Sequence, residues 1–489
     1  MARTDYRERP RCGRRRLQNG AAAAACSHRA GAVAARTRIR ISMQLPSLAK
    51  AAVTAGMWTL AGHGASQVLR LAGNLLLTRL LAPESFGLMA VATVIAVAVV
   101  MFSDLGLRQV IVRSRQAAEP TFVNTVWTLQ ILQGLLVAAV LLLAAAGLAY
   151  ARHRNYIPAG STYAGEELPL LVAGLALGAV IGGLESTRLA TAEKEMRLRA
   201  VIMIEVGSQA AGLAAMASAA LVQPSVFVLL VGAIVSGVVK VAASHMLPIG
   251  VANRLEFSWP VARQVCRISS WIVVSSALTF LSANLDKLAL AWLLGSHSMG
   301  QFAIAALLVG AVGDVVSRLS SRVGFPAITQ AFERNSAGLA RSYHRSRIPT
   351  DAFCLVVAAF LFWFGGDLVR LLYDQRYAQA GEFLEILAIT LLGTRYSLVT
   401  YVYLLLGRSG FMAAEQAIRL FGLLVGMGIG YQLHGTTGAV WGVALGQLTG
   451  ALAGLLVFQP RLGLFSLRRE LVALGLFAGM FGLFGYARH

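Results

Sequence analysis

Six polar side chains recur at helical spacing inside an otherwise apolar stretch near the start of the chain. Thr59, His63, Gln67, Arg70, Asn74 and Thr78 follow one another at intervals of 4, 4, 3, 4 and 4 residues, which places all six on one face of a helix. A second run, Ser275, Thr279, Ser282 and Asp286, is spaced 4, 3 and 4, with Asn284 and Lys287 beside it. A third cation, Arg395, stands among Thr390, Thr394, Ser397 and Tyr401. Three cations, Arg70, Lys287 and Arg395, against one well-placed acid, Asp286, suit an anion. A guanidinium presents a planar fork that matches phosphate oxygens two at a time, whereas an ammonium is a compact point charge. His63, Gln67 and Asn74 add hydrogen-bonding groups to the same wall.

The elements that hold these residues are apolar enough to cross a bilayer. The 489 residues are 57% hydrophobic and only 13% charged, with a mean hydropathy of +0.67, where a soluble domain carries about 25% charged residues. Several runs exceed the roughly 18 apolar residues of a spanning helix, and no short alternating segments of a membrane barrel are present. The fold class expected is an all-α integral membrane bundle. Spans are read at 53–80, 86–103, 122–149, 168–187, 201–222, 226–247, 268–294, 299–317, 351–372, 383–406, 411–432, 436–458 and 468–486: six per half and a thirteenth. A full charge within such a span is costly and normally faces a bundle interior or a water-filled cavity. Arg70, Lys287 and Arg395 are therefore expected in a central cavity, with Lys287 turned into it and its neighbour Asp286, about 100° around the helix, bonded to an adjoining span. Glu205, with Gln209 one turn on, either snorkels, pairs with Arg199 or joins Asp286 as an acid able to couple to an ion. Asp314 with Arg318 and Glu185 with Arg188 read as ordinary ion pairs near the interface.

Charge tests the count. Twenty-two Lys and Arg fall on the joints that follow even-numbered spans, and six (Arg79, Arg152, Arg154, Arg370, Arg376 and Arg488) on the opposite side. A miscounted span would scramble that alternation. By the positive-inside rule the basic side and the N-terminus are cytoplasmic, and the net charge of +21 needs no nucleic acid to explain it. A shift of 213 positions lays Trp271–Ala305 over Trp58–Ala92 without a gap, matching Trp271 to Trp58, Leu293 and Leu294 to Leu80 and Leu81, Gly300 to Gly87, and Lys287 to Asn74. The chain thus divides into a basic N-terminal extension (1–50), a first lobe (51–248), a cytoplasmic linker (249–267), a second lobe (268–459) and a C-terminal extra span (460–489). The linker's Phe257-Ser258-Trp259-Pro260 forms either an amphipathic surface helix or a plain connection. The extension, with its run Arg14–Arg16 and alanine tract, reads as a basic tail or as residues preceding a true start at Met43, rather than as a targeting signal. Cys12, Cys26, Cys266 and Cys354 lie too far apart for a zinc or redox motif, so neither metal nor disulfide is expected.

No GxxxxGK[ST] loop occurs, and no soluble segment is large enough for a nucleotide-binding or glycosyltransferase domain; a membrane polysaccharide polymerase or ligase is the alternative of another class, with the short outer loop from Tyr150 to Leu168, holding Arg152, His153 and Arg154, as its only seat. Four segments in order resemble bacterial oligosaccharide flippases of the O-antigen type, polysaccharide transporters of the multidrug/oligosaccharidyl-lipid/polysaccharide exporter superfamily. LLTRLLAPESFGLMAVATVI is similar to their first hairpin and NLDKLALAWLLGSHSMGQFAIA to their seventh span. VSRLSSRVGFPAITQAFERN is similar to the joint after the eighth, and GGDLVRLLYDQRYAQAGEFLEILAI to the segment joining the ninth and tenth. The resemblance implies two six-helix lobes around a central cavity that carries a polyprenyl-pyrophosphate-linked oligosaccharide from the inner to the outer leaflet of the bacterial inner membrane, for O-antigen, exopolysaccharide or capsule synthesis. It implies no cofactor, coupling to membrane potential, H+ or Na+, and contact with polymerase machinery. A lipid II flippase and a multidrug or cation exporter of the same superfamily are the nearest alternatives. Relatives commonly have twelve or fourteen spans, so a final helix is expected to be missing or truncated.

Overall fold

The computed structural model describes residues 57–59, 61–114, 116, 119–334 and 338–488, without the side chains of 266–275, 278, 409, 487 and 488. The N-terminal extension, Arg115, Cys266 and the side chains of Trp271 and Ser275 lie outside the described residues. From Ala61 onward the chain is one unit. Its first half contains α1 (61–80), α2 (Pro83–Phe102), α3 (Leu107–Arg113), α4 (Pro120–His153), α5 (Leu168–Gly183), α6 (Arg188–Lys194), α7 (Leu198–Val222) and α8 (Phe227–His245). The second half contains α9 (Trp259–Leu293), α10 (Ser296–Leu319), α11 (Phe325–Arg334), α12 (Leu339–Leu372), α13 (Ala378–Ala388), α14 (Leu391–Thr394), α15 (Ser397–Leu405), α16 (Ser409–Ala453), α17 (Gln459–Arg461) and α18 (Leu467–Arg488). No strand occurs among the described residues. Proline opens α2, α4, α5 and α9, where its missing N–H costs nothing and its fixed φ is already helical.

Among the described residues, eight helices are long and apolar enough to cross a membrane, or nine if α5 and α6, bent by 59°, are one broken span. That is fewer than the thirteen spans expected. One reason is visible in α16, which counts once although it contains two expected spans. His434 and Gly435 leave helical geometry, Gly435 at φ 61°, a left-handed conformation open to glycine at little cost. The arms fold back so closely that a Cβ on Gly430 would lie 2.0 Å from the Gly438 carbonyl oxygen, and one on Gly442 2.1 Å from that of Gly426. Small residues every fourth position let helix backbones touch in this way.

The halves are knitted by α2, α9 and α10, which share one core: Leu81, Val91 and Ala92 pack with Leu290, Leu294, Met299 and Phe302. The linker is neither a surface helix nor a free connection. Residues 251–258 form no regular element and are pinned to the first turns of α4: the Arg254 N–H donates to Asn124 (3.1 Å), the Ser258 N–H to Thr125 (3.2 Å), and the Thr128 hydroxyl to the Glu256 carbonyl (2.9 Å). Trp259 and Pro260 then begin α9 itself, ahead of the expected boundary at 268. The Glu256 carboxylate accepts from Asn124 at 2.9 Å, and that bond holds it below the ordinary glutamate range. α18 packs on α12 through Phe481 against Phe362 and Trp363, and Phe484 against Phe360 and Phe364.

Candidate functional site

The polar stripe on α1 faces α10 for part of its length. Arg70 donates to Gln67 one turn back and pairs with Asp314 of α10 at 3.5 Å, both side chains half-exposed. His63 lies within electrostatic reach of Arg70, Asp314, Arg318 and Arg322. Arg318 ends α10, and its Nε is buried without a hydrogen-bond partner among the described residues. Arg322 lies in a π-helical turn, Ser320–Gly324, between α10 and α11. Such turns are rare and concentrate at functional sites. Among the described residues, this centre therefore carries three guanidiniums and an imidazole against one carboxylate, that of Asp314. Farther along the stripe Asn74 is half-buried, while Thr78 is fully buried and donates to the Leu75 carbonyl at 3.2 Å, so that end serves packing.

Two expectations change here. Asp314 is not the partner of Arg318 but reaches across to Arg70, and Arg318, expected to be its ion-pair partner, joins the centre together with Arg322 of the basic joint that follows. The repeat register also set Arg70 and Lys287 in one place, yet they take different neighbours. Lys287 donates to Asn284 on its own helix at 3.2 Å. Asp286 lies within reach of Lys287 and of Arg419 on α16, and Arg419 also donates to the Ser282 carbonyl at 3.4 Å. α9 and α16 are thus bridged by a polar group that the sequence reading did not single out.

Arg395 is the clearest correction. It is not a cavity cation. Only 5% exposed, it pairs with Glu470 of α18 at 2.6 Å and donates to the Tyr396 hydroxyl. Glu470 also takes Arg347 of α12 (2.7 Å), which in turn holds Asp351 (2.8 Å). Both guanidiniums lie over the Tyr396 ring. Two cations and two anions pair off inside the protein, so each buried charge has an opposite partner, while Arg347 Nη1 and Arg395 Nε and Nη1 have no hydrogen-bond partner among the described residues. Glu205 reaches Arg108 of α3 at 3.9 Å rather than standing free, and Arg108 is held above the ordinary arginine range chiefly by its hydrogen bond with Glu193. Glu185 pairs with Lys240 at 2.7 Å, not with Arg188, whose guanidinium instead donates to the carbonyls of His245, the last residue of α8, and of Leu247 just after it.

At the end of the bundle opposite the linker the halves are firmly joined. Thr162 donates twice to the Leu294 carbonyl at 2.7 Å, through its N–H and its hydroxyl, and Tyr163 donates to Leu288 at 3.0 Å. Tyr377 donates to the Leu81 carbonyl (2.9 Å) and Arg376 to that of Arg79 (3.0 Å). Glu84 and His297, at the starts of α2 and α10, meet at 2.7 Å. Gly87 and Gly300 bring these helices into backbone contact, since a Cβ on Gly300 would sit 1.9 Å from the Pro83 carbonyl oxygen.

A helical bundle with eight or nine apolar helices long enough to cross a membrane among the described residues has the architecture of a multi-pass membrane protein, and solved structures share the fold. An inward-facing multidrug resistance transporter of the MATE family, in the MOP superfamily, superposes with a TM-score of 0.62 at 16% identity over 81% of this chain and 94% of that one. The lipid II flippase MurJ in an inward closed conformation gives 0.62 at 10% identity over 88% and 92%. A MOP superfamily transporter from Pyrococcus furiosus gives 0.52 at 17% over 85% and 96%. A family model described as polysaccharide biosynthesis protein matches residues 76–382, more than half of the chain, and the protein belongs to that family. No curated protein sequence matches. The three solved structures that share the fold are described as two transporters and a flippase.

Proposed function

We propose that this protein flips a polyprenyl-pyrophosphate-linked oligosaccharide from the cytoplasmic to the outer leaflet of the bacterial inner membrane. The observation that carries this reading is the cationic centre of Arg70, Arg318 and Arg322, beside His63, between α1 and the end of α10, in a chain of a polysaccharide biosynthesis family. Sugars and a diphosphate cannot enter hydrocarbon unaided, while the lipid tail can stay in the bilayer beside a lateral gap. The two halves act as lobes that rock about the head group, exposing it to each side in turn. The linker end, rich in Arg, is cytoplasmic, and the joined end faces outward. An anion moving out of a negative interior gains about 2.3 kcal/mol per charge per 100 mV, so the membrane potential alone favours the outward step. Asp286, between Lys287 and Arg419, is the first acid to test for ion coupling; Glu205 is second because Arg108 already engages it. A cation exporter would want an acid where α1 has Arg70, which disfavours that alternative.

The test measures polymer export and membrane abundance together. Arg70→Ala and Arg318→Ala are expected to abolish export with abundance retained, Arg70→Glu to be at least as severe, and Arg70→Lys to keep partial activity because the charge survives without the fork. Near-normal export in all four would sink the cationic-clamp reading; export falling only in step with abundance would make these residues structural. Lipid-linked sugar accumulating on the cytoplasmic leaflet of a deletion strain would identify the glycan.

A further inference from the structure

Glu84 and His297 occupy the same position in the two copies of the internal repeat, as Gly87 and Gly300 do. In the structure each residue meets its own counterpart: the glycines in backbone contact, and His297 Nδ1 against Glu84 Oε1 at 2.7 Å. Equivalent residues touch each other only where a two-fold axis passes between them. The axis relating the halves therefore runs through the α2–α10 crossing, at the end opposite the linker. A strict repeat would put two like groups there, two acids or two imidazoles. This sequence has one of each, and both are about half-exposed, so solvent protons can reach them.

Among the described residues around this pair, the imidazole is the group free to change charge near neutrality. Arg376 lies within electrostatic reach of Glu84; it is paired with Asp374 at 3.0 Å and its carbonyl accepts from Gln301 at 2.6 Å. Gln301 Nε2 in turn lies 3.3 Å from His297 Nε2. Glutamate, aspartate and arginine keep their charges between about pH 5.5 and 8, whereas histidine loses its own in that window. A charge–charge attraction across the axis exists only while the imidazole is protonated. We propose that Glu84 and His297 form a proton-operated latch: acid on this side holds the two halves together at the α2–α10 crossing, and loss of the proton from His297 releases them. The proton is exchanged with the bathing solution and no bond other than N–H is made or broken. The latch rests on the two-lobe rocking proposed above, but not on which substrate is carried.

The experiment places spin labels at Tyr156 and Leu371, both exposed and on opposite halves at this end, in a cysteine-free full-length protein in nanodiscs, and follows their distance distribution across that pH range. The ratio of short to long distances is expected to rise about two- to fivefold from the alkaline to the acid limit, the size of a half-exposed ion pair. Glu84→Gln and His297→Gln should each flatten this dependence while the protein remains monodisperse. Gly300→Ala, or Tyr377→Phe should the former not fold, should raise the long-distance population at every pH and so show that the labels report opening. A wild-type ratio that does not move with pH while either of these variants opens, or a full response surviving in Glu84→Gln, overturns the latch and leaves the rocking intact. Distances fixed under every condition and in every variant overturn both.

Discussion

Arg70 and Arg395 look alike in the sequence, each an arginine well inside an apolar run, yet they have different physics. Arg70 is half-exposed and, among the described residues, has one carboxylate partner, a half-exposed Asp314 at 3.5 Å, an arrangement that an incoming diphosphate can outcompete. Arg395 is buried with Arg347, Asp351 and Glu470 in a neutral cluster. Removing one member of such a set strands the rest, at a cost of about 3–5 kcal/mol. Glu470→Leu, which leaves two guanidiniums against Asp351, is expected to lower the melting temperature in detergent and reduce membrane abundance. Arg395→Met with Glu470→Leu leaves the neutral Arg347–Asp351 pair and should be milder than the single change; a double variant as unstable as Glu470→Leu would refute this account. The α1 stripe was legible because His63, Gln67, Arg70, Asn74 and Thr78 share one helix and one period. The role of Arg395 was not, because its partner sits on α18, which the sequence marks only as an extra span. Periodicity reports the face of one helix and nothing of what another helix brings to it.

Among the elements, the α16 hairpin and the strap before α9 show the same limit. Two spans at 411–432 and 436–458 were readable as apolar runs, but the closeness of the arms depends on which glycines meet. Gly430 is in contact with Gly438, whereas Gly428, two residues away, has open space around its Cβ position. Gly430→Ala should therefore force the arms apart and lower thermal stability, while Gly428→Ala should be neutral or stabilise by up to about 1 kcal/mol, the helical preference of alanine over glycine. Melting curves of the two variants decide it, and equal effects would mean that the hairpin tolerates separation. The strap was read as either a helix or a plain connection because hydrogen bonds to Asn124, Thr125 and Thr128 leave no periodic trace in 251–258. Its Glu256 carboxylate sits below the ordinary range in the folded state. The stabilisation it provides is thus present above the unfolded glutamate value of about 4.3 and lost as pH falls through the lower folded value. Amide exchange in 251–258, corrected for its intrinsic pH dependence, should accelerate over that acid range in wild type and already be fast at neutral pH in Glu256→Gln.

At the scale of the whole molecule, the path of the chain between its two ends can be followed from contacts alone and compared with the basic-residue alternation. α3 and α6 lie at one end, joined by Arg108 to Glu193 and by Lys194 to the Ser114 carbonyl. The linker grips the start of α4, and Arg188 at the start of α6 reaches the end of α8. The turns after Leu81, after Tyr150 and after Gln223 must then lie at the other end, because each is separated from those contacts by one helix long enough to cross the bundle. Leu81 and Leu294 are tied there to Tyr377 and Thr162. If the basic end is cytoplasmic, reporter fusions after Leu81, Tyr150 and Gln223 should read as external, and fusions after Arg115, Glu195 and Asn335 as internal. Each outcome constrains the others. An internal reading after Tyr150 would require α4 to enter and leave on one side, which its 34 residues, about 50 Å of straight helix, do not permit while its first turn holds the linker. Reversal of all six together would instead keep this path and invert the protein in the membrane, turning the cationic centre of α1 and α10 toward the outer leaflet and contradicting outward flipping of a substrate loaded from the cytoplasm.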